Sequence, residues 1–508
     1  MYYYFIIEIY MLVCFFIIFF YYFIGYYFFS ISNNDKVYSV FFNRLFVANV
    51  SNFISFIFFT IFVIDVNFLF EFIKFFDYYF LFNFTIFLNF SAFFFKFFFI
   101  ICTLFIINSI ANYFKVINIY KIEIYILYVF IIFGVFINIL SCDFLTFYLS
   151  MELQTLCFYI FVSFYKSYKS IESSVKFFVM STFSSCLILF GISFVYFFSG
   201  SINFFDIYII NFDQINNFYL LVSQFFIMIG LMFKIGAFPF QVWVPDIYQY
   251  APYFTVLIIA TISKLFGFYI LFKIFFFVHN FSGFFYIYVF ICAFCSILYG
   301  TIGALFQKNF KRLIGYSSIV HAGFIVSNFM VFTFNSFIFA IFYLVVYIFL
   351  SLFVFVFLIS VFNYRFYYMN KIHFYNFKFI YDFFYLSNKN YFISIMLCSV
   401  LFSFGGIPPF AGFFSKFLVI FNFIDSSYYL YSIFLIVFSI VSSYYYLVII
   451  KNVFFVKFKN SINQVLNVYY ISSNVFILFI VFVFNTFFIF VCEYLMFYIY
   501  FCVFCFFY

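Results

Sequence analysis

Proline is almost missing from this 508-residue chain, which has five; tryptophan occurs once, glycine fifteen times, and the four charged residue types together fill 7% of positions. So little charge excludes an ordinary soluble domain, where about a quarter of residues are charged. No G-x-G-x-x-G or P-loop pattern occurs, so the chain is expected to bind no nucleotide itself. Eleven cysteines include two C-x-x-C pairs, Cys292 with Cys295 and Cys502 with Cys505. Neither has a histidine or a second pair beside it to complete a zinc or iron–sulfur set, so both read as apolar packing and no metal site is expected.

What is present in excess is apolar: 116 Phe and 51 Tyr, aromatics at 33%, hydrophobic residues at 69% and a mean hydropathy of +1.23. A polytopic membrane protein is the class that fits. Phe, Tyr, Ile and Asn are also the products of A+T-rich codons, which points to a strongly A+T-rich gene of the mitochondrial kind. Such drift removes Pro, Trp and Gly wherever physics tolerates the loss, so the survivors carry information. All five prolines fall in two short stretches, Pro239, Pro245 and Pro252 in one and Pro408 and Pro409 in the other, with Trp243 inside the first.

An apolar run of about 20 residues spans a bilayer as a helix. About fourteen such runs occur, at approximately 9–30, 46–64, 96–114, 123–141, 144–164, 174–198, 217–239, 252–277, 283–305, 312–331, 333–362, 391–422, 427–450 and 472–491. They are continuous and do not alternate apolar with polar residues, which excludes a transmembrane barrel. The expected fold class is therefore all-α and polytopic, one membrane domain over 1–508. A net charge of +8 could suggest a nucleic-acid partner, but the charge is distributed as membrane topology. Lys166, Lys169, Lys176, Lys308, Lys311, Arg312 and Lys451 follow odd-numbered spans, and Asp143, Asp206, Asp213 and Asp425 follow even-numbered ones, with Lys74 the main exception. By the positive-inside rule both termini face away from the compartment that holds the basic loops. The segment after Met1 runs into a span without the Arg- and Ser-rich character of an import presequence, which fits synthesis inside the organelle.

Charges inside spans cost about 2.5–3.5 kcal/mol each even on the lenient insertion scale and are usually functional. Four stand well inside: Glu152, Lys234, Lys264 and Lys416. Glu152, nine residues beyond Asp143, falls near mid-helix; it either pairs with a lysine of a neighbouring span or is a carboxyl bonded to hydroxyls that holds helices together. Lys234 precedes a helix interruption at Gly236 and Pro239, where proline removes an amide donor. Broken backbone at membrane depth is tolerated only if buried or lining a wet cavity, so Lys234 is expected on an aqueous path, with snorkelling as the alternative. Lys264 lies about a dozen residues beyond Pro252. Lysine, unlike arginine, can release a proton when desolvated. Lys416 follows a second interruption at Gly406, Pro408 and Pro409. GAFPF at 236–240 and GIPPF at 406–410 are alike, the sequence pointer to a transporter built from repeats with its site at the midplane. His321, one turn beyond Ser317, is either a proton relay or a structural hydrogen-bonder; His279 and His373 fall in loops.

These segments resemble a known family. SCDFLTFYLSMELQTLCFYIF, FKIGAFPFQVWVPDIYQYAP, ATISK, GYSSIVHAGF and FGGIPPFAGFFSKF, in order over roughly 120–420, are similar to the successive signatures of the antiporter-like membrane subunits of respiratory complex I, NADH:ubiquinone oxidoreductase, and among them to the subunit 2 type. VPDIY after Trp243 lacks the acidic-residue and His motif typical of subunit 4. The resemblance implies a fourteen-helix fold with about three helices in 1–121, inverted five-helix repeats over 122–278 and 279–450, and one or more helices in 451–508. It implies that Glu152 and Lys234 form an input ion pair, Lys264 a central relay, His321 part of the hydrophilic axis and Lys416 the outlet lysine. The family often has His where this chain has Gln241, which weakens a protonatable role there. It implies no cofactor in this chain, with NADH, FMN, iron–sulfur clusters and ubiquinone in other subunits, and cardiolipin as a surface lipid. Partners implied are the neighbouring antiporter-like subunits of the membrane arm and membrane lipids, with no nucleic acid. The location implied is the inner mitochondrial membrane, basic loops toward the matrix. A stand-alone cation/proton antiporter and a purely structural membrane subunit are the rival readings.

Overall fold

The computed structural model describes residues 55, 79–81, 86–88, 90–117, 123–213, 218–277, 283–368, 379–383, 386–389, 391–455 and 472–507. The expected spans at 9–30 and 46–64 (apart from Ser55), and His279 and His373, lie outside them. Two three-residue strands, β1 Tyr79–Leu81 and β2 Ile86–Leu88, pair antiparallel with Tyr79 opposite Leu88. The rest is helical: α1 Phe90–Ile117, α2 Glu123–Leu140, α3 Phe144–Val162, α4 Tyr168–Ser199, α5 Phe204–Asp213 and α6 Phe218–Ile235, then α7 Trp243–Tyr250 and α8 Tyr253–Ile258. A π-turn, Ile259–Ser263, joins α8 to α9 Lys264–Phe277. There follow α10 Gly283–Leu305, α11 Phe310–Ser327, α12 Phe334–Tyr368, α13 Tyr391–Gly405, α14 Ala411–Asp425, α15 Tyr429–Phe454, α16 Ser472–Thr486 and α17 Phe488–Phe507. Among the described residues nine helices are long and apolar enough to cross a membrane, ten if the bent pair α16 and α17 is one span.

Each helix from α1 to α4 answers an expected span. The run expected at 391–422 is instead two half-helices, α13 and α14, parted at Gly406, and the one expected at 217–239 ends at Ile235. The run expected at 472–491 also departs from a straight helix, bending by 86° between α16 and α17. There the Thr486 hydroxyl donates back to the carbonyls of Phe482 and Val483, a local alternative to the helical ladder that bends helices. The short helix α5, with acidic Asp206 in its first turn, was not among the expected elements because ten residues are too few to span a bilayer.

Hydropathy is high throughout, yet the helices occupy different places. The core of α12 is 94% buried, whereas the corresponding stretch of α15 is 33% buried, so α12 is the central post and α15 shows most of its surface outward. A helix apolar on all sides tolerates either setting. Aromatic rings fill the interior: Phe95 meets Tyr269 from α9, and Phe349 of α12 meets Phe484 of α16. At one end of the bundle the basic loop residues converge on α7. Asp246 lies 3.8 Å from both Lys176 and Arg312, and the Lys311 amine donates to the Ala251 carbonyl. That convergence places the loops after three odd-numbered spans on one side.

At the other end the links 141–143 and 202–204 pair as a short antiparallel bridge, Phe144 N–H to the Ile202 carbonyl and Phe204 N–H to the Cys142 carbonyl, each 3.0 Å. Burial, and then the charge of Asp206, hold the Asp143 carboxyl above its ordinary range. The folded state therefore binds that proton more tightly than the unfolded chain. The stability so contributed is present below the ordinary carboxylate range and is lost as pH rises through the raised value. Asp143→Asn is expected to raise thermal stability of the assembled protein above that range and to change nothing below it; equal curves at all pH would contradict this.

Candidate functional site: a buried line of lysines, a glutamate and a histidine

The first interruption is built by a helix end. α6 closes with Gly236 N–H on the Phe233 carbonyl and Ala237 N–H on the Met232 carbonyl, both 2.9 Å, a Schellman closure that needs a left-handed residue. Gly236 supplies it with φ 75°, and a cis Phe238–Pro239 bond follows. Carbonyls at the end of α6 then project into the protein, where the helix dipole concentrates negative partial charge. The indole N–H of Trp243 donates to the Phe233 carbonyl at 3.2 Å, and the Lys264 amine donates to the last one, that of Ile235. The π-turn before Lys264 places this side chain, which is 1% exposed, at the head of α9.

Lys234 stands in the last turn of the same helix, with its amine toward α3 and not on the freed carbonyls. Its amine lies 3.6 Å from Glu152 Oε1, brought by α3. Neither atom has a hydrogen bond, and 3.6 Å exceeds the 2.7–2.9 Å of a charge-assisted bond. The pair is close enough to attract and loose enough to open. Of the two readings of Glu152, the lysine partner is the one realised. Unpartnered buried amide atoms of Gln154 and Gln224 lie on the same two helices, and one of Gln241 in the link after α6. Buried polar groups of this kind ordinarily bind water.

The second interruption repeats the first. Gly406 N–H reaches the Ser403 carbonyl at 3.0 Å and Ile407 N–H the Phe402 carbonyl at 3.1 Å, with Gly406 at φ 80° and a cis Pro408–Pro409 bond. Lys416 donates to the carbonyls of Phe404 and Gly405 at 2.9 and 3.1 Å and to the Ser442 hydroxyl at 3.2 Å. Along the chain Lys234 looked like the counterpart of Lys416, one before and one after its break. In space the counterpart is Lys264, since both amines cap the freed carbonyls.

His321 lies on α11 between these centres. Its Nδ1 is 2.8 Å from the Tyr343 hydroxyl and its Nε2 3.4 Å from that of Tyr446. It shares a cavity with Lys416, lined also by Tyr343, Tyr347, Ser403 and Ser415. Ser317, its neighbour by sequence spacing, donates to the Ile314 carbonyl in its own helix.

Three participants were not found by sequence reasoning. Lys273, 3% exposed, donates to the Ile139 and Ser141 carbonyls at 2.5 and 2.9 Å and closes the end of α2. It falls inside the expected run 252–277, with no helix interruption beside it to mark it. Lys96 is also buried, against the rings of Phe93 and Phe136, although it sits where a span was expected to begin. Asn485 of α16 accepts from Ala411 N–H and donates to the Ser399 carbonyl, tying both sides of the second interruption. No spacing signal marks an asparagine some 75 residues away.

The geometry stands beside known relatives. The family model described as NADH:quinone oxidoreductase/Mrp antiporter, TM, matches residues 141–443. NADH-quinone oxidoreductase subunit N of Pelagibacter ubique is 34% identical over 362 residues, 70% of this chain and 74% of that one. NADH-ubiquinone oxidoreductase chain 2 of Marchantia polymorpha is 30% identical over 298 residues, 57% of this chain and 58% of that one. A chain of the membrane-bound sulfane sulfur reductase, an archaeal respiratory membrane complex, superposes with a TM-score of 0.76 at 19% identity, covering 92% of this chain and 96% of its own. The matched family region begins at the α2–α3 link and ends inside α15, so it contains both interruptions and every lysine of the line from 234 to 416. The chain belongs to the NADH:quinone oxidoreductase/Mrp antiporter transmembrane family.

Proposed function

We propose that this chain is a proton-translocating membrane-arm subunit of respiratory complex I, coupling NADH:ubiquinone electron transfer to proton pumping across the inner mitochondrial membrane. The observation that carries the reading is the repeated device: two helix ends opened at membrane depth, each with its last carbonyls held by a buried lysine. The loose Glu152–Lys234 pair is the input switch. When it opens, the charge beside the end of α6 changes and alters how tightly Lys264 holds its proton. The proton moves past His321 to Lys416 and leaves. Moving one charge against the membrane potential costs about 2.3 kcal/mol per 100 mV, so the drive must come from redox chemistry in other subunits. This chain gates and conducts. It holds no redox group of its own on this reading; NADH, FMN, iron–sulfur clusters and ubiquinone belong to other subunits.

The matching Schellman closures support two inverted five-helix repeats, over 122–278 and 279–450, within a fourteen-helix fold. Basic loops toward the matrix and termini toward the intermembrane space follow from the charge distribution, and neighbouring antiporter-like subunits and lipid such as cardiolipin cover the outward apolar faces. The family description also names Mrp antiporters, so a stand-alone cation/proton antiporter is the second reading. It predicts that the chain migrates without redox subunits when native membranes are solubilised.

Lys234→Met tests the assignment. Removing Lys234 leaves the part-exposed Glu152 carboxylate without its cation, which costs less than the roughly 3–5 kcal/mol of breaking a fully buried pair. Assembly is expected to persist, and proton uptake per electron in reconstituted vesicles to fall. Unchanged stoichiometry in an assembled variant would falsify the relay role of the pair.

A further inference from the structure

Fifty-one tyrosines run through the chain as part of its aromatic excess, and phenylalanine is the default filler of its interior. Three tyrosines nevertheless meet His321, and a fourth, Tyr248, faces one of them. Tyr343 and Tyr347 stand one turn apart on α12, Tyr446 comes from α15 and Tyr248 from α7. The rings of Tyr343 and Tyr347 lie 5.9 and 5.4 Å from the imidazole. All four side chains are buried. A buried hydroxyl costs free energy unless it is hydrogen-bonded, whereas Phe at the same place costs none.

Their placement bridges a gap. Lys264 is held at the first interruption and Lys416 at the second, and His321 lies within electrostatic reach of both. The Tyr248 hydroxyl, on the helix that follows the first interruption, faces those of Ser318 and Tyr347. In the middle, Tyr343 and Tyr446 occupy the two nitrogens of His321. On the far side the cavity between Tyr343 and Lys416 has room for about one water molecule.

We propose that Tyr248, Tyr347, Tyr343 and Tyr446 form, with His321, the hydroxyl relay that carries a proton between Lys264 and Lys416; this rests on the proton-translocating reading above. Each step conserves charge. A proton bonds to a phenol oxygen as that phenol's own proton passes to the next acceptor, so no phenolate persists. At His321 one ring nitrogen gains a proton while the other releases one to the opposite tyrosine. The tautomer is thereby exchanged, and a turn of the imidazole ring, with the two hydroxyls re-aligning, returns it before the next proton.

The test uses the intact complex reconstituted in vesicles, with NADH-driven turnover and proton uptake measured in H2O and D2O. Tyr343→Phe and Tyr446→Phe each remove one oxygen. Both are expected to assemble normally, to lose at least about tenfold in proton-coupled turnover, in keeping with the usual worth of positioned proton transfer, and to show a larger solvent isotope effect. Tyr125→Phe removes a buried, unpartnered hydroxyl on α2 and is expected to change nothing. Should either variant on the His321 side fail to accumulate, Tyr248→Phe and Tyr347→Phe carry the same expectation at the other end of the relay. Wild-type pumping in the assembled Phe variants, with Lys264→Met impaired, overturns the hydroxyl relay and leaves the proposed function standing. Wild-type pumping in Lys264→Met as well overturns the function itself.

Discussion

Gly412→Ala is expected to abolish accumulation of the chain in its assembly. A methyl group at that position would lie 1.7 Å from the carbonyl oxygen of Ser403 and 2.5 Å from its carbon. These are backbone atoms and cannot rotate away, so α14 would have to move off α13. The Ser403 carbonyl already accepts from Gly406 N–H, and Lys416, one turn beyond Gly412, holds the carbonyls of Phe404 and Gly405. A shift of either half-helix breaks the second interruption and leaves polar groups stranded at membrane depth. The loss belongs to the exceptional class above about 4–5 kcal/mol. Gly405→Ala is the control: its added methyl would meet Ser443 Cβ at 3.5 Å, an ordinary contact. Native electrophoresis of solubilised membranes should show the control assembled and Gly412→Ala absent; equal amounts of the two would contradict the close-approach argument.

Lys264→Met and Lys264→Arg should both lose proton-coupled turnover by about two orders of magnitude while remaining assembled. Methionine fits an apolar interior and removes the buried charge, leaving the Ile235 carbonyl without its amine at a cost of about 1–3 kcal/mol, and it has no proton to exchange. Arginine keeps the charge and can still donate to the Ile235 carbonyl, yet it stays protonated at any working pH. The arginine variant therefore separates a fixed cation that caps α6 from one that must release its proton. Proton uptake at the wild-type rate with arginine would mean that the charge at 264 is only structural.

How much of this could be read along the chain differs from element to element. Glu152, Lys234, Lys264 and Lys416 stood out because a charge in an apolar run is costly and few are spent. The interruptions stood out because proline was nearly eliminated elsewhere. Lys273 was hidden because no interruption or polar neighbour marks it within the run 252–277, and only the approach of α2 shows that it closes a helix. Asn485 and the tyrosines near His321 were hidden by abundance, one asparagine or tyrosine being indistinguishable from the many others.

The amino-acid order alone settles that this is a many-span helical membrane protein and where glycine and proline interrupt its helices, because hydropathy and proline act locally within a turn or two. It does not settle which lysine meets which carbonyl. Partnership depends on how helices cross, and a run of Phe, Ile and Tyr packs against almost any neighbour with similar energy. The fold chose Lys264 rather than Lys234 as the match of Lys416, buried α12 while leaving α15 outward, and drew three tyrosines from two helices onto one histidine. Those choices follow from close approach at a few small residues and from the need of every freed carbonyl to find a donor away from water.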